Sequence, residues 1–132
     1  MTDFPVSKTD EEWKRELTPE QYNVTRKAGT ERAYSGELYE HTGDGIYRCV
    51  CCGAELFDSE TKYASGSGWP SFWEPASEEA VLERPDHKLG HERTEAVCSR
   101  CGAHLGHVFE DGPEPTGLHY CINSVALEFD PR

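Results

Sequence analysis

Six cysteines dominate the chemistry that this sequence can support. Four of them form two Cys-x2-Cys motifs, and a glycine follows each motif. Two thiolates at this spacing can reach one ion from a tight turn, so two such turns complete a tetrahedral site with no open coordination position. The spacing therefore predicts one structural Zn²⁺, bound by Cys49, Cys52, Cys98 and Cys101.

Two other interpretations of these cysteines are weaker. A thioredoxin-like redox pair would not require two copies of the motif, and scattered buried cysteines would not share a spacing. Cys51 leaves the register of the first motif open, because it adjoins Cys52. It could be a spare thiol, an alternative ligand or a redox partner.

Cys121 lies outside both motifs and is the candidate nucleophile. A free cysteine titrates near ~8.5, so it needs help to form a thiolate at neutral pH. His104, His107 and His119 precede it closely, and Gly106 would let the first two project toward one pocket. From residue types alone, Cys121 fits a small buried hydrophobe equally well, and the histidines fit a second metal site or a solvated surface.

An aromatic cluster at Gly66–Trp73 is the other unusual feature, with Trp69, Phe72 and Trp73 beside two glycines. It predicts an aromatic wall suited to an apolar or sulfur-bearing side chain. The alternative is a turn whose aromatic rings fill the core.

The elements that must position these residues are short. Thr9 and Thr18 each begin a capping-box pattern, Trp13 follows the first at helical spacing, and Gly29 can end the second helix. Residues 1–30 are therefore expected to form two short helices that pack on the outside of a single domain, residues 1–132. The remainder predicts a mainly antiparallel β body with long loops. The strand candidates are Gly45–Cys49, Glu95–Val97, Leu105–Phe109 and Val125–Phe129.

Composition limits the partners and the compartment. The net charge of -12 repels phosphate backbones and anionic lipids, so neither nucleic acid nor a membrane is an expected partner. The first residues lack the apolar stretch of a secretory signal, which predicts the cytoplasm and metal or redox roles for the cysteines. The acidity fits a high-salt cytosol, docking to a basic partner or a merely soluble surface.

Taken in order, five motifs resemble the B-type methionine sulfoxide reductases and span about Leu17 to Phe129. They are YRCVCCGAELF (Tyr47–Phe57), GWPSFW (Gly68–Trp73), RTE (Arg93–Glu95), CGAHLGHVFEDGP (Cys101–Pro113) and YCINS (Tyr120–Ser124).

The resemblance implies a β-tent of two antiparallel sheets with zinc at one end, away from the active site. It implies a monomer that acts on the R epimer of methionine sulfoxide in oxidised proteins or peptides, with thioredoxin or a small thiol as the reductant. The implied catalytic residues are Cys121 as nucleophile, His104 and His107 as pocket histidines and Asn123 just past the nucleophile. His119 is a further catalytic candidate beside the thiolate, and Trp69 and Phe109 are expected to bind substrate.

Three departures from the family pattern stand out. Ser67 occupies the position of the usual resolving cysteine, His119 replaces an arginine two residues before the nucleophile, and Cys51 is extra. Thioredoxin or a small thiol would then reduce a Cys121 sulfenic acid directly, or Cys51 would resolve it after a loop movement. The competing functional class is a non-catalytic zinc-ribbon-like interaction module, which the two cysteine motifs alone would support.

Overall fold

The computed structural model describes residues 4–86 and 93–132. Within them no helix is long and apolar enough to cross a membrane. The helices are α1 (Asp10–Glu16) and α2 (Pro19–Arg26); the strands are β1 (Gly45–Cys49), β2 (Glu55–Asp58), β3 (Lys62–Tyr63), β4 (Ser71–Phe72), β5 (Val81–Asp86), β6 (Arg93–Cys98), β7 (His104–Phe109), β8 (His119–Ile122) and β9 (Leu127–Pro131).

Both predicted helices are present and both begin with a complete capping box, at Thr9 and Thr18. The second helix ends a few residues before the predicted stop at Gly29. Helix α2 ends at Arg26, and the left-handed residue after it is Ala28, with φ of 56°, rather than Gly29.

The described strands form two antiparallel sheets, as predicted. One sheet has the order β2-β1-β9 and the other the order β3-β4-β8-β7-β6-β5. The core lies between them, since Phe57 of β2 stacks on Phe72 of β4 with ring centroids 4.3 Å apart. Tyr47 of β1 contacts the same Phe72 ring at 5.1 Å.

Strand β1 has the predicted bounds, and β6 and β7 contain the predicted segments. The prediction for Val125–Phe129 is wrong at its start, because residues 124–126 form a 3-10 turn before β9. The Val125 amide donates to the carboxylate of Glu31 instead of to a neighbouring strand.

Candidate metal centre and active site

The metal centre is built from two copies of one turn. Gly53 and Gly102 both have φ of +78°, a left-handed conformation that suits glycine. The Gly53 amide donates to the Cys49 carbonyl at 2.8 Å, and the Gly102 amide donates to the Cys98 carbonyl at 2.9 Å. Each turn thereby presents the two sulfurs of its motif on one side.

The two turns bring four sulfurs together. The Sγ atoms of the four predicted ligands lie within 4.8 Å of one another, with Cys49 to Cys101 at 3.6 Å and Cys52 to Cys98 at 3.7 Å. A tetrahedral ion with Zn–S bonds of ~2.3 Å requires sulfurs ~3.8 Å apart, so the set fits an ion of this size. Cys51 is half-buried and is not one of the four.

Helix α2 covers this centre through Arg26. Its guanidinium donates to Cys101 Sγ at 3.3 Å and to the Cys101 carbonyl at 3.1 Å. The same guanidinium lies over the ring of buried Trp13, 4.1 Å from its centroid. The predicted docking of the helical segment on the domain thus places a positive charge beside a cysteine sulfur.

The candidate active site is a row of polar side chains across one face of the six-stranded sheet. Cys121 of β8 pairs with Ser71 of β4 on one side and with His107 of β7 on the other. His107 pairs in turn with Glu95 of β6. Cross-strand partners project to the same side of a sheet, so these side chains form a continuous line.

A bulge in β7 brings His104 to the same face. His107, Gly106 and His104 pair with Glu95, Ala96 and Val97, which leaves one residue of β7 without a counterpart. A bulge shifts the alternation of side chains by one, and the two histidine rings lie 5.4 Å apart. Gly106 has a further role, since a Cβ there would lie 2.0 Å from the Cys121 carbonyl oxygen.

The Cys121 thiol is half-buried and faces little positive charge. Burial and the carboxylates of Asp111 and Glu31 raise its pKa, the hydrogen bond with Ser67 lowers it, and the net result is a pKa of about 11. Ser67 Oγ lies 3.9 Å from Cys121 Sγ. The resting thiol is therefore protonated at neutral pH, and a base is needed to form the thiolate.

His104 is oriented by an ionised carboxylate. Its Nδ1 lies 2.6 Å from Glu95 Oε2, and Arg84 donates to Glu95 Oε1 at 2.8 Å. Burial opposes ionisation of Glu95, but the hydrogen bonds from His104 and Arg84 outweigh it and lower its pKa to about 2. Among the described residues, His104 Nε2 is buried without a hydrogen-bond partner.

His107 has a similar carboxylate but a different electrostatic balance. Its Nε2 lies 2.8 Å from Asp86 Oδ2, which also accepts from Arg93 at 3.3 Å. Burial lowers the pKa of His107, and the charges of Arg93 and His104 lower it further, against the opposing effect of Asp86. His107 is therefore mainly neutral at neutral pH.

Both ring nitrogens of His119 form hydrogen bonds to groups other than the Cys121 sulfur. Nε2 lies 2.9 Å from Ser71 Oγ, and Nδ1 lies 3.1 Å from Asp111 Oδ1. The ring contacts Tyr63 and Phe109, with centroids 5.7 and 5.9 Å away. Phe109 itself is 37% exposed, at the edge of the row.

Asn123 and Trp69 are held by the same backbone segment. The Asn123 side chain donates to the Leu105 carbonyl at 3.0 Å and accepts from the Glu31 amide at 3.0 Å. The Trp69 indole donates to the Glu31 carbonyl at 3.0 Å. Both groups of the Asn123 amide thus bind backbone, which makes it a scaffold for β7 and for the segment at Glu31.

A cleft opens beside this row. Its volume is about 470 Å³, and its lining includes Tyr63, Ser65, Ser67, Asp111 and His119. A cavity of about 430 Å³, lined by Trp73, Leu118 and Tyr120 among others, lies on the opposite face of β8, because Tyr120 alternates with His119 and Cys121 along that strand. The first cleft is lined by Ser67, which contacts the Cys121 sulfur, and by His119, two residues before Cys121.

The structure brings the predicted Cys121, His104, His107, His119 and Asn123 into one region of the six-stranded sheet. Sequence reasoning missed the residues that orient them. The clearest available signal was motif membership, since RTE contains Glu95 and the FEDG stretch contains Asp111. The orienting residues missed were Glu31, Ser71, Arg84, Asp86, Arg93, Glu95 and Asp111.

Comparison with known proteins defines the class of this fold and site. The profile of the SelR domain family matches residues 17–131, and the chain belongs to that family. A protein of Leptospira interrogans is 58% identical over 126 residues, which cover 96% of each chain. One from Thiobacillus denitrificans is 58% identical over 131 residues, 99% of this chain and 98% of its own. One from Methanosarcina mazei is 57% identical over 129 residues, 98% of this chain and 92% of its own. All three are named peptide methionine sulfoxide reductase MsrB.

Proposed function

We propose that this protein is a peptide-methionine (R)-S-oxide reductase, which reduces the R epimer of methionine sulfoxide, mainly within proteins. The observation that carries the proposal is the placement of Cys121. It lies between Ser71 and His107 in the polar row, beside the cleft, in a chain that matches the SelR family over nearly its full length.

The overall reaction transfers one oxygen atom to Cys121. The thiolate attacks the sulfoxide sulfur and forms an S–S bond, and the sulfoxide oxygen receives a proton. The oxygen then moves to the Cys121 sulfur: a new S–O bond forms there while the S–S bond and the S–O bond to methionine break. The Cys121 thiol is oxidised to a sulfenic acid while the sulfoxide is reduced to a thioether, so the electrons balance. No part of this step requires the metal centre.

His104 is the better candidate for the acid that protonates the leaving oxygen. A general acid needs a nitrogen free to reach the substrate. His104 Nε2 has no partner among the described residues, and Glu95 fixes the ring from the other side. His107 uses Nε2 for Asp86 and has a lowered pKa, so it is better suited to accept a hydrogen bond or to shape the pocket.

The remaining predicted residues support the substrate. Trp69 is half-buried and Phe109 is exposed. Both provide aromatic surface for the S-methyl group and the surrounding peptide. Asn123 acts by holding the backbone at Leu105 and Glu31 rather than by binding the sulfoxide oxygen.

The metal centre is proposed to hold one structural Zn²⁺. Cys49, Cys52, Cys98 and Cys101 supply four soft sulfur ligands at a spacing that suits a tetrahedral site. Bound zinc would join the two turns and add on the order of 10 kcal/mol to folding. It would have no open position for substrate.

The principal test exchanges Cys121 for serine. Cys121→Ser should lose reduction of the R epimer by at least about a thousandfold, because removing the nucleophile of a covalent mechanism leaves little catalysis. Zinc content and thermal unfolding should stay as in the wild type. Cys51→Ser is the matched control and should keep activity. Reductase activity in Cys121→Ser would refute Cys121 as the nucleophile. No activity in the zinc-loaded wild type would favour the zinc-ribbon-like interaction module.

A thiol partner must regenerate Cys121. We infer direct reduction of the sulfenic acid by thioredoxin or a small thiol, in a monomeric cytoplasmic protein, because Ser67 provides no second sulfur near the nucleophile. Cys51 lies instead beside the metal turns, where Cys101 and Cys49 are its neighbours.

Mass spectrometry after one turnover without reductant tests this route. We expect a dimedone-trapped sulfenic acid on Cys121, and a crosslinked peptide joining positions 51 and 121 would refute direct reduction. Ser67→Cys serves as the positive control. It should give a crosslink between positions 67 and 121, because the present Oγ and Sγ atoms are 3.9 Å apart.

A further inference from the structure

Three serine hydroxyls form a cluster between the candidate nucleophile and His119. Ser65 Oγ lies 2.7 Å from Ser71 Oγ and donates a hydrogen bond to Ser67 Oγ at 2.9 Å. Ser67 Oγ and Ser71 Oγ are themselves 3.5 Å apart. The cluster, named here the serine relay, is defined by Ser65, Ser67 and Ser71.

The two ends of the serine relay contact ionisable groups. At one end Ser67 Oγ lies 3.9 Å from Cys121 Sγ, which is the one hydrogen bond to that sulfur among the described residues. At the other end Ser71 Oγ lies 2.9 Å from His119 Nε2. Asp111, which is 73% exposed, binds the far nitrogen of the same ring at 3.1 Å.

We infer that the serine relay carries the thiol proton of Cys121 to His119, with Asp111 holding the imidazole. The inference rests on the proposed function, in which Cys121 is the nucleophile. A hydroxyl both donates and accepts, so each serine can pass on its own proton while it receives another. The arrangement resembles the catalytic triad of hydrolases, in which an aspartate orients a histidine that accepts the nucleophile's proton, but here serine hydroxyls lie between the histidine and the nucleophile.

The transfer balances without any further reactant. The S–H bond of Cys121 breaks, its electron pair stays on sulfur, and an N–H bond forms at His119 Nε2. The proton passes from Ser67 to Ser71 across their 3.5 Å contact and from Ser71 to His119, while Ser65 contacts both hydroxyls. Each serine ends with the same number of protons as at the start. The carbonyl of Trp69 accepts from Ser67 and Ser71 at 3.3 and 3.0 Å, so each of these hydroxyls can turn between that carbonyl and the relay.

The surroundings explain why a relay is needed. Burial raises the pKa of the Cys121 thiol, and His119 reaches Ser71 rather than the sulfur. The groups that face His119 are Asp111, Tyr63 and Phe109, while His107 lies across the strand pair from Cys121. Glu31 and Asp111 add only negative charge, which opposes thiolate formation.

The test measures alkylation of Cys121 by iodoacetamide in the zinc-loaded protein, quantified on the Cys121 peptide. Ser71→Ala and His119→Gln should each slow alkylation at pH 7 about tenfold, a shift of about one pKa unit in the thiol. The double variant should be no slower than either single variant, because both changes interrupt one path. The difference should shrink only above the thiol pKa of about 11, where the thiolate forms without help.

Controls separate the relay from a structural effect. Ser67→Ala should slow alkylation, whereas Ser67→Thr, which keeps the hydroxyl, should restore most of the rate. Ser59→Ala removes hydrogen bonds to Gly45 and Asp44 far from the site and should leave the rate unchanged.

Wild-type alkylation in His119→Gln, or additive losses in the double variant, would overturn the relay. Single-turnover reduction of methionine sulfoxide is measured separately in each variant. If wild type fails that assay while the alkylation pattern holds, the proposed function falls and the relay stands.

Discussion

The metal centre and the polar row solve the problem of positioning sulfur in opposite ways. At the metal centre, one turn occurs twice, and each copy places its sulfurs through its own backbone hydrogen bonds. In the polar row, Cys121 is placed by strand pairing, and its neighbours come from distant parts of the chain. The first arrangement is local and repeated, and the second is assembled by the sheet.

The two regions also differ in what their unpaired polar atoms can bind. Four sulfurs converge on one point at the metal centre, where an ion can satisfy all of them. Arg26 Nε beside that centre is buried without a hydrogen-bond partner among the described residues, and so are Glu31 Oε2 and His104 Nε2 in the active-site region. Such atoms cost stability, and those in the active-site region are available to a substrate. The comparison predicts that the metal centre supports folding and that the polar row supports chemistry.

The largest expected effect is the loss of a metal ligand. Cys49→Ser should release zinc and remove most of its contribution, on the order of 10 kcal/mol, which is comparable to the whole stability of a domain. We expect the variant to be unfolded at 25 °C and to show no cooperative thermal transition. Circular dichroism measures the unfolding, and zinc content is measured alongside. A matched Cys51→Ser variant should melt like the wild type. A stable, zinc-free Cys49→Ser protein would contradict the prediction that the metal centre supports folding.

The next effect lies in the polar row. His104→Asn should lower kcat by about 10² to 10⁴-fold, the range expected for a general acid, with zinc content and melting temperature unchanged. Glu95→Gln should give a smaller loss, because the imidazole remains but is no longer held by a charge. His41→Asn, at a histidine paired with Tyr47, is the control for a general effect of losing an imidazole. A larger loss in His107→Asn than in His104→Asn would reverse the assignment of the acid.

The local arrangement is the part that the sequence predicts best. The four metal ligands, both capping boxes and β1 follow from spacing and composition within a few residues of each feature. His104 and His107 lie on the same face of the sheet because of the bulge in β7. The alternation of apolar and polar residues in one sequence does not reveal such a bulge.

Long-range partners account for the rest. Asp111 and Ser71 reach His119 through the packing of separate loops and strands, so no spacing along the chain indicates them. The start of β9 was mispredicted for the same reason, since a glutamate 94 positions earlier binds the amide of Val125.

A moderate effect should come from the cover of the metal centre. Arg26→Met removes a charged hydrogen bond to Cys101 Sγ and the contact with the Trp13 ring, together worth about 1 to 3 kcal/mol. We expect a lower unfolding free energy in denaturant titrations and faster zinc release to a chelator, with kcat unchanged. Arg15→Met, at an exposed position on α1, is the matched control. Faster zinc release in both variants would show that the effect is one of net charge.

The smallest effect concerns Glu31, a 4%-exposed carboxyl beneath the polar row. Burial raises its pKa, although hydrogen bonds from Val125 and Ser124 oppose the rise. The folded state therefore favours the protonated form. That contribution is fully present below the unfolded pKa of ~4.3 and is lost as pH rises through the higher folded value.

Glu31→Gln should remove this pH dependence. Relative to the wild type, the variant should gain unfolding free energy between pH 5 and pH 7.5, because the glutamine cannot lose a proton in the buried site. Glu37→Gln, at an exposed position in the same segment, should show no such gain. An equal difference from wild type at both pH values would mean that the buried carboxyl is not a source of strain.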